Sequence, residues 1–148
     1  MSRAVSGERV IAAPAERIFD VLADPSMHPA IDGTESVRAH LSGGGSRLTL
    51  GSEFRMDMRI LAPYRVTNRV VEFQEGRRIA WAHFGGARWR YDLEPVEVGT
   101  KVTETFDWST ATVPFYGLVI RLLGFPRRNK AGIERTLDRL AQVVGVAR

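Results

Sequence analysis

Ser52-Glu53-Phe54-Arg55-Met56-Asp57-Met58-Arg59-Ile60 alternates without a fault, with Phe54, Met56, Met58 and Ile60 on one side and Glu53, Arg55, Asp57 and Arg59 on the other. Successive side chains of a β-strand leave opposite faces of the pleat, so this stretch buries one face and wets the other. Outward from it the same texture continues. Tyr64–Phe73, Arg78–His83, Ala87–Glu94 and Thr100–Trp108 read as further strands, and Glu35–Leu41 as a short one before it. The links at Pro63, Glu75-Gly76, Gly85-Gly86 and Gly99 are short enough for antiparallel neighbours. Ser42-Gly43-Gly44-Gly45-Ser46 reads as a flexible loop.

Upstream, Val5–Ala12 reads as a strand and Pro14–Leu22 as a helix, with Pro14 in the first turn, where a missing N–H costs nothing. Ile18, Phe19, Val21 and Leu22 make its apolar stripe. A short second helix over Ser26–Ile31 follows, and Asp32-Gly33-Thr34 signals a turn. Downstream of Trp108 the period changes: Ile133, Leu137, Leu140 and Val144 recur at helical spacing, opposite Glu134, Arg135, Asp138 and Arg139. Val113–Gly124 is apolar and reads as a helical turn or two packed before the break at Gly124-Phe125-Pro126. The order is β-α-α, six strands, then a long helix. A sheet with one apolar face and a helix with one apolar stripe bury each other only if the sheet curves round the helix. The expectation is a single α+β domain over residues 1–148, with an internal cavity between concave sheet and C-terminal helix.

Composition removes several function classes. At 148 residues, 44% hydrophobic and 26% charged, the chain is long and apolar enough to bury a core. It has no run of about 18 apolar residues, so no integral membrane association is expected. The stretch Met1–Arg9 is too polar for a secretory signal, which makes the cytoplasm the default location. With no cysteine there is no disulfide, Cys-based zinc site or thiol nucleophile. Gly43-Gly44-Gly45 lacks the lysine and helix of a phosphate loop, and there is no nucleophile elbow, so no cofactor is expected. His28, His40 and His83 have no metal-ligand spacing, and no metal is expected.

The net charge is +4, and only Lys101 and Lys130 are lysines. The arginines mostly alternate with apolar residues, as in Arg88-Trp89-Arg90-Tyr91, which is how the wet face of a strand reads. Arg121, Arg127, Arg128 and Lys130 are the one local concentration, read as solvated surface; no nucleic-acid partner is expected. Exposed edge strands leave a homodimer open.

Ile11-Ala12-Ala13-Pro14-Ala15-Glu16-Arg17-Ile18-Phe19-Asp20-Val21-Leu22-Ala23-Asp24-Pro25, Gly76–Trp81, Gly99–Trp108 and Gly132–Leu140 stand in the order and places of one superfamily's motifs. On these the chain resembles the START/birch-allergen (SRPBCC) superfamily, in particular its polyketide cyclase/dehydratase and lipid-transport-like branch, over roughly residues 5 to 145. The resemblance implies the helix-grip fold and a hydrophobic small-molecule ligand. The chain departs from the pattern after His28-Pro29, where relatives often carry an aromatic residue and this chain has Ala30-Ile31.

Within that fold, Met56, Met58, Trp81, Trp89, Tyr91, Phe106 and Trp108 are candidate lining residues, each a core filler if taken alone. The resemblance puts Ile79 and Trp81 inside. That selects a three-residue loop, Phe84-Gly85-Gly86, which sets Trp81 opposite Trp89 and His83 on the inner face. Asn68 is a further candidate on a strand that does not alternate cleanly. Asn129 and Ile133 come from the C-terminal helix, and Phe115 and Tyr116 precede it at the mouth. His28, in a mouth-side helix, and His40, in an edge strand, carry less weight.

Glu104 is the sharpest signal, because its strand alternates Val102, Glu104, Phe106 and Trp108 against Thr103, Thr105 and Asp107. A carboxyl on that apolar side is desolvated unless paired, and could serve as acid or base, bind a ligand hydroxyl or amine, or sit in a structural ion pair. With His83 it would make an acid–base pair suited to cyclising or dehydrating a poly-β-keto chain. Three functions follow as expectations: binding of a hydrophobic small molecule such as a lipid or polyketide; an aromatase/cyclase or dehydratase; and a regulator docking on a protein or ribosomal partner through its basic helix.

Overall fold

The alternation at Ser52–Ile60 forms one strand of a seven-stranded antiparallel sheet in a computed structural model. The structure describes residues 3–33, 37–43, 47–59, 63–82, 86–112, 118 and 122–146. In chain order the elements are β1 (Ala4–Ile11), α1 (Ala15–Leu22), a 3₁₀ turn (Pro25–Met27), α2 (His28–Ile31), β2 (Val37–Gly43), β3 (Glu53–Arg59), β4 (Pro63–Gln74), β5 (Arg78–Ala82), β6 (Arg88–Val96), β7 (Gly99–Asp107) and α3 (Phe125–Val146). This is the β-α-α-β6-α order expected from the sequence.

Strands β2 to β7 run as a meander, and β1 joins its far edge, giving the sheet order β1-β7-β6-β5-β4-β3-β2. The register sets Trp81 against Trp89, the pairing that the three-residue loop requires. β4 carries one irregularity. Its ladder with β5 shifts between Val70 and Glu72, so Val71 is an extra residue, the signature of a β-bulge.

Pro14 stands one residue outside α1 rather than in its first turn, and its carbonyl accepts from the Arg17 and Ile18 amides. Asp24 caps the following turn, its carboxylate accepting from the Ser26 amide at 3.0 Å and the Ser26 hydroxyl at 2.6 Å.

Helix α3 lays Ile133, Leu137, Leu140 and Val144, all buried, against a core that includes Phe54, Met56, Ile79 and Val102. Two glycines let other parts of the chain approach it. Gly7 of β1 faces the helix, where an added Cβ would stand 2.9 Å from Ile133 Cγ2. Gly33 lies so close to Gly132 and Thr136 that a Cβ would collide with their backbone. Its amide donates to Thr136 Oγ1 at 2.7 Å, while Arg135 Nε donates to the Gly33 carbonyl and Arg139 Nη1 to that of Asp32, each at 2.7 Å. The segment after α2 is thereby fastened to α3.

The outer face of the sheet holds a cluster of arginines. Glu72 accepts from Arg78, Arg88 and Arg90, and Arg90 also reaches Asp107. The hydrogen bonds from Arg90, foremost, and Arg88 hold the Glu72 carboxyl down to about 2 against the opposing effect of burial.

Candidate functional site

Strand β7 alternates in burial as in sequence: Val102, Glu104, Phe106 and Trp108 are buried, and Lys101, Thr103, Thr105 and Asp107 are partly exposed. Glu104 therefore lies on the face turned to α3, 3% exposed among apolar neighbours. The ladder decides what flanks it. Tyr91 of β6 stands opposite on one side and Gly7 of β1 on the other. Tyr91 Oη donates to Glu104 Oε2 at 2.9 Å, whereas Gly7 offers no side chain. Glu104 Oε1 is buried with no hydrogen-bond partner among the described residues.

Burial pushes the Glu104 carboxyl well above the usual carboxylate range; the Tyr91 hydrogen bond opposes this, and the charge of Asp32 adds to it. Burial likewise pushes the Tyr91 phenol up, reinforced by Glu104 and by Asp32. Both shifts run in the same direction, toward the protonated forms of the pair.

Aromatic rings build the surrounding wall. Trp81 lies 5.6 Å from Tyr91 and stacks on His28 at 4.6 Å, with Phe54 edge-on at 5.8 Å. Trp89, Phe106 and Trp108 form a second run, with successive ring centres 4.8 and 5.6 Å apart. Met56 and Asn68 are buried on the same face, where Asn68 pairs with Phe54 across the ladder, and Met58 is half-buried. From α3, Ile133 is buried and Asn129 half-buried. His83, Phe115 and Tyr116 lie outside the described residues, as does the side chain of His40, whose β2 position forms the sheet edge.

Three readings of the sequence need correction or addition. His28 is not a marginal mouth residue. Its ring is 5% exposed, and its Nε2 donates to the Leu22 carbonyl at 2.9 Å, because the 3₁₀ turn carries it back under α1. Asp32, read only as part of a turn, acts on both Glu104 and Tyr91 because α3 clamps its segment; no spacing in the sequence signals that. Finally, the apolar stretch before α3 is not packed at its described leucines. Leu118, Leu122 and Leu123 are exposed, since α3 already covers the apolar face of the sheet.

Among the described residues no cluster of three or more His, Cys, Asp or Glu is placed to hold a metal ion. No described helix is long and apolar enough to cross a membrane.

By its curved antiparallel sheet gripping one long helix, the chain has the helix-grip fold. It belongs to the polyketide cyclase/dehydrase and lipid transport family, whose model matches residues 2–145. It is 38% identical over 140 residues to the uncharacterized protein Rv0088 of Mycobacterium tuberculosis, a match spanning 93% of this chain and 62% of that relative's length. Solved structures share the fold. A Rhodobacter sphaeroides protein aligns at a TM-score of 0.73 with 16% identity, covering 100% of this chain and 95% of its own. The Polyketide_cyc-like protein Cgl2372 of Corynebacterium glutamicum aligns at 0.64 with 20% identity, covering 99% and 93%. At such identities the likeness concerns the fold alone.

Proposed function

We propose that the chain, as a single ligand-binding domain, holds a mostly apolar small molecule between the concave face of its sheet and α3, with Glu104 as the polar anchor. The observation that carries this reading is the unpartnered Glu104 Oε1, buried on a face that is otherwise aromatic and aliphatic. A native fold leaves few buried polar atoms unsatisfied, and each asks for an account such as a bound group, an ordered water or a catalytic role. Arg88 Nε is also unpartnered among the described residues, but it belongs to the arginine cluster on the outer face, whereas Glu104 Oε1 faces the interior. The family's description, which joins polyketide cyclases with lipid transport, agrees with an apolar ligand.

The test is native mass spectrometry of gently purified protein, followed by denaturing extraction of whatever is released. A co-purifying apolar molecule at one per chain supports the reading. An apo mass, together with no uptake of added apolar probes, removes it.

A second reading rests on the Tyr91–Glu104 hydrogen bond. A carboxylic acid supported by a phenol can deliver a proton to a carbonyl or take one from the adjacent carbon, the steps that a cyclase or dehydratase needs. Under it, Glu104→Gln abolishes turnover while leaving fold and ligand uptake in place. Under the carrier reading there is no turnover to lose.

A further inference from the structure

The chemistry of the anchor narrows the ligand, given the binding reading above. A carboxyl in its neutral form has one acceptor oxygen and one O–H donor. Glu104 Oε2 already accepts from Tyr91 Oη at 2.9 Å, which places the carbonyl character there and leaves the O–H on Oε1, the buried oxygen without a partner. A buried donor requires an acceptor. An anionic ligand group does not fit, because burial penalises its charge and Asp32 already disfavours further negative charge at Tyr91 and Glu104. An ammonium does not fit either, having no lone pair to accept the Oε1 proton.

Several polar and charged groups on the elements packed against this point have partners of their own. From β1, Gly7 contributes only backbone. From α3, Lys130 donates to the Ser6 carbonyl and pairs with Glu134, while Arg135 and Arg139 hold the Gly33 and Asp32 carbonyls. From α2, His28 is turned to the Leu22 carbonyl. Among the described residues, none of these supplies the acceptor that Oε1 lacks.

We infer that the site takes a neutral, apolar molecule through a carbonyl oxygen that accepts a hydrogen bond from Glu104 Oε1, and that it discriminates against apolar anions such as fatty carboxylates.

Three probes of one shape test this on the full chain at pH 7: 2-acetylnaphthalene, 2-naphthoate and 2-ethylnaphthalene, measured by calorimetry. The ketone is expected to bind about tenfold tighter than the hydrocarbon, the return from one buried hydrogen bond, and the carboxylate weakest. Glu104→Gln keeps a carbonyl for Tyr91 and an N–H for the ligand, so it retains the ketone within about threefold. Glu104→Leu loses the ketone preference but still binds 2-ethylnaphthalene, which also reports that it is folded. The infrared carbonyl stretch of bound 2-acetylnaphthalene should fall in wild type and Glu104→Gln, and not in Glu104→Leu. Preference for 2-naphthoate, no preference for the ketone, or a Glu104→Gln variant as impaired as Glu104→Leu overturns the inference and leaves the binding site standing. If wild type binds none of the three, the binding reading falls too.

Discussion

The Gly33 amide donates to Thr136 Oγ1 at 2.7 Å, across 103 positions of sequence. This bond anchors the turn that carries Asp32 to the helix that closes the interior, so the electrostatics around Glu104 depend on a contact outside the sheet. Thr136→Val keeps the shape and removes the acceptor, stranding a buried N–H. We expect a loss of about 1–3 kcal/mol in denaturant unfolding. Gly33→Ala should cost more, because its methyl meets backbone rather than a side chain that can move. Equal stability of Thr136→Val and wild type would deny the clasp.

Glu104 should make stability depend on pH in a particular direction. Its folded-state pKa lies above the unfolded value of 4.5. Such a group contributes its full stability below about 4.5 and loses it as pH rises toward the folded value. Glu104→Gln cannot ionise, so it should be more stable than wild type at pH 8 and nearly indistinguishable from it at pH 4. Thermal unfolding at the two values measures the difference. A variant less stable than wild type at pH 8 would contradict the neutral pair.

Glu72 should behave in the opposite sense. Its carboxyl is held down to about 2 by Arg90 and Arg88, so its contribution is full above about 4.5 and drains away as pH falls through 2. Glu72→Gln removes the centre of the arginine cluster and should cost about 2 kcal/mol at pH 7, with the gap closing in acid. A constant gap from pH 7 to pH 2 would show that the lost contribution is packing and not charge.

Tyr91→Phe tests the pair from its other side. It removes the one hydrogen bond that opposes protonation of Glu104, so the carboxyl should titrate higher still. Carbon-13 NMR of the labelled Glu104 carboxyl would record an upward move; a downward move would mean that Tyr91 does not donate to it.

Gly7→Val places a branched side chain where one methyl already approaches Ile133 Cγ2. We expect a cost of about 1–3 kcal/mol from overpacking, partly recovered by pairing it with Ile133→Ala. A double variant no better than Gly7→Val alone would place the strain elsewhere.

The fold was legible because two periodicities cover most of the chain and each demands the other as its partner. Glu104 was legible for the same reason: a charge at an apolar position of β7 breaks a pattern that is otherwise regular. Asn68 was harder, since Val71 interrupts the alternation of β4 and hides which residues share a face. His28 and Asp32 were not legible as parts of the interior, because both are brought there by a turn and a helix distant in sequence. Local pattern records which face a residue takes and not which neighbour it meets across the core.

The extra residue at Val71 gives β4 two parities. Before it, the inward positions are even-numbered, Asn68 and Val70; after it the inward position is odd, Phe73, paired with Ile79. Removing Val71 would restore plain alternation, with Val70 followed at once by Glu72, so Asn68, Val70 and Phe73 would still face inward and Glu72 outward. What would go is the bend and added twist that an extra residue gives a strand. A length change of one residue there is therefore a change in the curvature of the wall and not in the side chains that line it.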